Sequence, residues 1–196
     1  LGGTVDNSSE LTVPGTALAL RSDFAITGTL STGTGTSISR NNNELDLSGG
    51  LLKLGGNLNL AGTVTDNDTR LILQANATLG NSASTGIGSL DLNGSALSIS
   101  MPLIVNDTLT LDAAGEKLVT GAADLSLNGG ISATAGTLSS TGGTLGLPSG
   151  ATLASGALFS TSNTTLNLGG SLAVAGTWNG SNTTSISLTT DNASLS

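Results

Sequence analysis

Apolar residues along this chain come in pairs separated by one small or polar residue, and the pairs recur at near-constant distance. The triplet apolar-x-apolar stands at Leu52-Lys53-Leu54, Leu71-Ile72-Leu73, Leu90-Asp91-Leu92 and Leu109-Thr110-Leu111, with steps of 19 residues. The series continues from Leu125, Leu145, Leu166 and Ile186 at steps of 16, 20, 21 and 20. A second apolar pair follows six residues after a triplet, as at Leu58/Leu60, Ala77/Leu79, Ile131/Ala133, Ala151/Leu153 and Leu172/Val174. A third, weaker patch contains Val64, Leu103 to Val105, Leu138, Leu158 and Trp178. Alternation with period two marks strands that bury one face. No segment keeps a 3.6-residue apolar period, and Gly, Ser, Thr and Asn fill every window, which excludes helices.

Each repeat therefore reads as strand, corner, strand, corner, strand, corner. An antiparallel sandwich accommodates the strand spacing but gives no reason for one position in every repeat to carry the same chemistry. In a parallel coil, residues one turn apart stack at about 4.8 Å, so matching columns are physically required. The pattern predicts an all-β chain folded as a single-stranded parallel β-helix, a β-solenoid with about 19 residues and three short strands per turn. Leu52, Leu71, Leu90, Leu109, Leu125, Leu145, Leu166 and Ile186 are expected to form one inward column. Residues 1–44 fit the period less well and are read as irregular N-terminal turns or a cap, with regular turns over 45–196. The segment from Leu52 (LKLGGNLNLAGTV) matches that from Leu166 (LNLGGSLAVAGTW) at an offset of 114 residues, which suggests duplication of a six-turn block. Pro14, Pro102 and Pro148 belong at corners or strand ends.

One corner stands out. Asn67-Asp68-Thr69, Asn106-Asp107-Thr108, Asn163-Thr164-Thr165 and Asn182-Thr183-Thr184 each precede a triplet, and Asn43-Glu44 precedes Leu45. Asn tolerates the left-handed backbone of a tight corner, and its amide can bond to an Asn in the next turn. Asn67, Asn106, Asn163 and Asn182 are thus expected to form one structural corner column.

Composition narrows the chemistry. Only three aromatics occur, Phe24, Phe159 and Trp178, so the core must be filled by Leu, Val, Ile and Ala in a narrow, regular interior. Apolar residues make up 37% of the chain, too many for disorder despite the low charge. The net charge of −8 and five scattered bases, Arg21, Arg40, Lys53, Arg70 and Lys117, argue against nucleic acid as a partner. No apolar run reaches the ~18 residues of a membrane span. Cys and His are absent, which removes thiolate and imidazole chemistry, both catalytic and metal-binding. The chain opens with neither Met nor a signal-peptide pattern and reads as a mature product or an excised segment.

Few residues invite a chemical role. Asp66, Asn67 and Asp68 could offer oxygens to calcium, but the GGxGxDxUx repeat of calcium-binding β-rolls is missing and a corner role is preferred. Asp91, Asp107, Asp112 and Glu116 could supply paired carboxylates to a glycosidase or lyase, yet only Lys117 lies near as a base. Solvated surface charge is the simpler expectation. Nine Asn-x-Ser/Thr sequons start at Asn7, Asn67, Asn76, Asn93, Asn106, Asn163, Asn179, Asn182 and Asn192, and four of them coincide with the corner residues. Trp178 could stack on a sugar, but its position within the repeat favours core filling. No catalytic, cofactor-binding or metal-binding residue is assigned.

In its period, its LxL triplets and its glycine-bearing corners, the stretch Leu45 to Ser196 resembles filamentous haemagglutinin-type adhesins and autotransporter passengers. That resemblance implies a right-handed parallel β-helix in an extracellular or cell-surface rod, with no catalytic residues to carry over. The expected function is a structural or adhesive rod that is not an enzyme, a segment of a fibrous adhesin or a subunit of an extracellular filament. Expected partners are neighbouring copies end to end, or further turns of a longer chain, with a host-surface or glycan ligand possible. The alternatives are a carbohydrate-active β-helix, such as a tailspike or polysaccharide lyase, and a donor-strand, pilin-like β-sandwich.

Overall fold

The structure, a computed structural model, describes residues 3–5, 9–15, 17–20, 23–39, 45–46, 49–59, 68–80, 85–182, 184–189 and 194–196. Among these residues the chain is all-β, without a helix, and it coils into a parallel β-solenoid of about eight turns. Two sheets of nine strands each form the first two faces of the coil. The first runs from Glu10–Val13 to Leu172–Val174, the second from Ala17–Ala19 to Thr177–Ser181. In chain order the third position belongs to a three-stranded sheet (Gly3–Val5, Phe24–Ile26, Leu45–Asp46) and then to a six-stranded sheet from Thr85–Ile87 to Ser185–Leu188. Every strand pairs in parallel with its counterpart one turn away, so backbone donors and acceptors are consumed along the axis.

The leucine triplets become strands because their alternating side chains enter one shared interior. Leu52, Leu71, Leu90 and Leu109 stack in register on the first face, and all four are buried. The column then passes to Ile131 and, through the Ser132–Thr152 register, to Ala151 and Leu172. Leu125, Leu145, Leu166 and Ile186 form a different column, on the third face, together with Leu103. The expected single column is therefore two, and Ile186 at its end is exposed rather than inward.

The cause is a coincidence of insertions. From first face to third face the chain takes 13 residues from Leu90 to Leu103 and 14 from Ile131 to Leu145, while a full turn takes 19 to 22. In the turn between them the corner between Leu111 and Lys117 holds five residues where its neighbour between Leu92 and Ala96 holds three. A further residue enters by Gly121, where the second-face register shifts. The step from Leu109 to Leu125 thus grows to 16 and imitates a short full turn.

The N-terminal segment is corrected by the same logic. Leu11 and Leu30 continue the first-face column below Leu52, and Leu18 and Ile38 continue the second. Residues 10–39, where described, form rungs of the same coil, not an irregular cap. Leu45, which like the triplets follows an Asn corner in the sequence, belongs to a third-face strand, Leu45–Asp46, and not to the first face.

Corners are held by three devices. Left-handed Asn occurs at Asn93, Asn163 and Asn182, with φ of 46°, 51° and 56°. Side chains also reach the backbone one turn away: Thr78 N–H donates to Asn57 Oδ1 (2.9 Å) and Ala96 N–H to Asn76 Oδ1 (2.8 Å). Elsewhere the turns approach too closely for any side chain, so a Cβ on Gly55 would lie 2.3 Å from Gly33 O and one on Gly129 would lie 2.0 Å from Asp107 O.

Candidate functional site

The expected Asn column divides between two corners. Asn106 lies between the third and first faces, where Asn128 Nδ2, one turn on, donates to its Oδ1 at 2.9 Å. Asn163 and Asn182 lie between the second and third faces, and Asn182 Nδ2 donates to Ser162 Oγ at 2.9 Å. Asn67 falls outside the described residues, as does Asp66. One asparagine amide does bond to another across a turn, but the pair is Asn106 with Asn128, which lies outside the expected column. Asp68 holds the turn before it, accepting Gly49 N–H on Oδ1 at 2.8 Å. No group of three Asp, Glu, His or Cys capable of holding a metal ion occurs among the described residues.

The four candidate acids do not converge. Asp91 points outward from the first face and closes a local turn by accepting Asn93 N–H (2.9 Å). Asp107 is exposed at the third-to-first corner and Asp112 at the first-to-second corner. The width of a face lies between them. Glu116 differs most from expectation: it is only 1% exposed. The two residues added to its corner let the side chain fold back inside. Its Oε1 takes the N–H of Gly94 one turn below (2.8 Å), and its Oε2 takes those of Asp112 (2.6 Å) and Ala113 (3.1 Å). A carboxylate that accepts three backbone donors is a corner staple, not solvated surface charge. Lys117 is exposed on the second face.

Trp178 sits on the second face in register with Phe159, not in the third-face position given to it by the repeat. It is half-buried and stacks on Phe159 with ring centroids 5.9 Å apart at 27°. Its Nε1–H donates to the buried Thr161 Oγ1 at 3.0 Å, which satisfies the indole as an apolar interior could not.

Concavity, unlike charge, is organised. A groove of about 550 Å³ lies on the second face among Ser37, Asn57, Thr78, Gly80 and Ser100. Ser100 also lines a second groove, of about 460 Å³, at the second-to-third corner with Pro102, Thr120, Gly121 and Asp124. Pro102 and Asp124 recur in a third, of about 340 Å³, which continues onto the third face past Ile104, Ser126, Gly146 and Asn167. Shared lining residues make the three one trough that crosses the corner. Among the described residues that line it, the only side chain with a formal charge is Asp124.

No helix among the described residues is long and apolar enough to cross a membrane. No protein-family model matches the chain, and no curated protein or solved structure matches it either.

Proposed function

We propose that this chain is a structural and adhesive rod displayed outside the cell, part of a fibrous surface protein or extracellular filament, with no catalytic role. The observation that carries this reading is the unbroken first face: nine parallel strands in continuous register from Glu10–Val13 to Leu172–Val174. At ~4.8 Å per rung the ladder extends roughly 40 Å, with an interior of stacked aliphatic columns at every level. Such a body resists bending because each rung is bonded to both neighbours. The dispersal of Asp91, Asp107 and Asp112 and the internal engagement of Glu116 favour a rod over a carbohydrate-cleaving helix.

The last turn supports end-to-end continuity. Three large apolar side chains, Ile186, Leu188 and Leu195, are exposed there. In the rod, a neighbouring copy or further turns cover this surface, because open strand edges recruit strands.

The test has two arms. Antibody raised against the chain should label intact producing cells or their shed filaments, and small-angle scattering should return an elongated particle. Labelling confined to permeabilised cells would overturn the extracellular rod, and a globular scattering profile would overturn the rod itself.

A further inference from the structure

We propose that the trough across the second-to-third corner is a binding site for a neutral glycan chain. The inference rests on the rod reading only for the trough's being presented at a surface. Its shape fits a linear ligand. From Ser37 to Asn167 it passes seven successive turns, roughly 29 Å along the axis at ~4.8 Å per rung.

The lining selects the chemistry. Hydroxyl and amide side chains such as Ser37, Asn57, Thr78, Ser126 and Asn167 both donate and accept, as sugar hydroxyls do. Pro102 and Ile104 offer an apolar surface to the C–H face of a ring. Ile104, 37% exposed, is the one exposed large apolar residue among the described residues outside the last turn. It stands between Gly86 and Ser126, too small to cover it. No Lys or Arg is among the described residues that line the trough to hold a carboxylate, sulfate or phosphate. Asp124, whose Oδ1 accepts Thr144 N–H (2.6 Å) while Oδ2 has no protein partner among the described residues, repels such groups and accepts from a neutral hydroxyl. An extended peptide is disfavoured, because strand addition needs a free sheet edge and these faces spend their backbone bonds on the neighbouring turns.

One local feature marks the wall of the site. The register shift between Val119 and Gly121, with Gly121 at φ 56°, lies in the wall of the corner groove, and bulges of this kind re-aim side chains beside binding sites.

The experiment is calorimetric titration of the chain with neutral hexasaccharides (cellohexaose, maltohexaose and N-acetylchitohexaose) and with hexagalacturonate as the acidic counterpart. At least one neutral probe should bind saturably. Gly146→Arg, which places a long side chain outward in the trough, should weaken it about tenfold or more. Thr152→Arg, outward on the first face, should leave binding unchanged. Absence of binding by every neutral probe up to about 10 mM, equal affinity of the Gly146→Arg variant, or equal binding of hexagalacturonate would overturn the proposal. Scattering from the same samples reads the rod separately, so an elongated particle that binds no glycan refutes the trough and spares the rod.

Discussion

Replacing Glu116 by Ala removes the acceptor of three backbone N–H groups at once, those of Gly94, Asp112 and Ala113. The side chain is 1% exposed, so the carboxylate shields these N–H groups from water on the side they face. A buried donor left unsatisfied costs about 1–3 kcal/mol. Asp112 and Ala114 beside it are exposed, so the two donors of the corner's own turn can recover some hydration when the cavity opens. Gly94 is exposed as well, so a net loss of about 2–4 kcal/mol follows, shared among the three charge-assisted bonds. Glu116→Gln should lose less, about 1–2 kcal/mol, because one amide oxygen still accepts while its NH2 group faces a donor. Asp112→Ala, at an exposed position of the same corner, should stay within about 0.5 kcal/mol. Hydrogen exchange followed by mass spectrometry on peptides covering 94–97 and 112–118 is the suitable readout, because a solenoid can open locally without melting as one unit. Faster exchange should be confined to this corner and its neighbouring turns. Equal exchange in the Glu116→Ala and Asp112→Ala proteins would refute the staple.

Two paired substitutions examine the packing directly. Leu92→Asp places a carboxylate at a position with no solvent access and should cost several kcal/mol, whereas Asp91→Ser beside it should change thermal stability by less than about 0.5 kcal/mol; equal shifts would reverse the assigned alternation. Gly129→Ala and Gly130→Ala differ by one position, yet only the first sets a Cβ against the backbone of the turn below, at 2.0 Å from Asp107 O, while the second meets nothing within 4 Å. Thermal melts should show a marked loss for Gly129→Ala and little change for Gly130→Ala, and the opposite order would mean that the turns do not stack at this corner.

The strands, their parallel stacking and the inward set on each rung are legible in the sequence because alternation and period depend on local spacing alone. The assignment of a strand to a face is a different matter. Leu109 and Leu125 carry the same LxL signature on two faces, and nothing in the triplet records which face it serves. Only the corner lengths do, and corners vary because they face solvent and accept insertions at small cost. Glu116 shows the limit for site reading. Its burial follows from two added corner residues that give the side chain room to fold inward, and an acid flanked by Gly115 and Lys117 reads as surface until that geometry is known. The trough is hidden for another reason. It arises from a side chain absent at Gly146 and from one register shift, and absent volume leaves no periodic signal.

The matching segments from Leu52 and Leu166 show how freely this architecture reuses its parts. The first forms a first-face strand, Leu51–Leu54, then a Gly55-Gly56 corner, then second-face strand Leu58–Asn59. The second forms a third-face strand, Thr165–Leu168, then a Gly169-Gly170 corner, then first-face strand Leu172–Val174. One sequence module thus serves two different corners, a third of a turn apart. It can do so because each face makes the same demands: two inward aliphatic side chains per strand and a corner thin enough to lie on the one below. Both glycine pairs meet that second demand. A Cβ on Gly56 would approach Thr36 O to 2.4 Å, and one on Gly170 would approach Ser149 Oγ to 2.3 Å. A six-turn duplication is therefore not needed to explain the match, since a shared strand–corner–strand module suffices, and its interchangeability lets the coil absorb insertions in one turn and resume its ladder in the next.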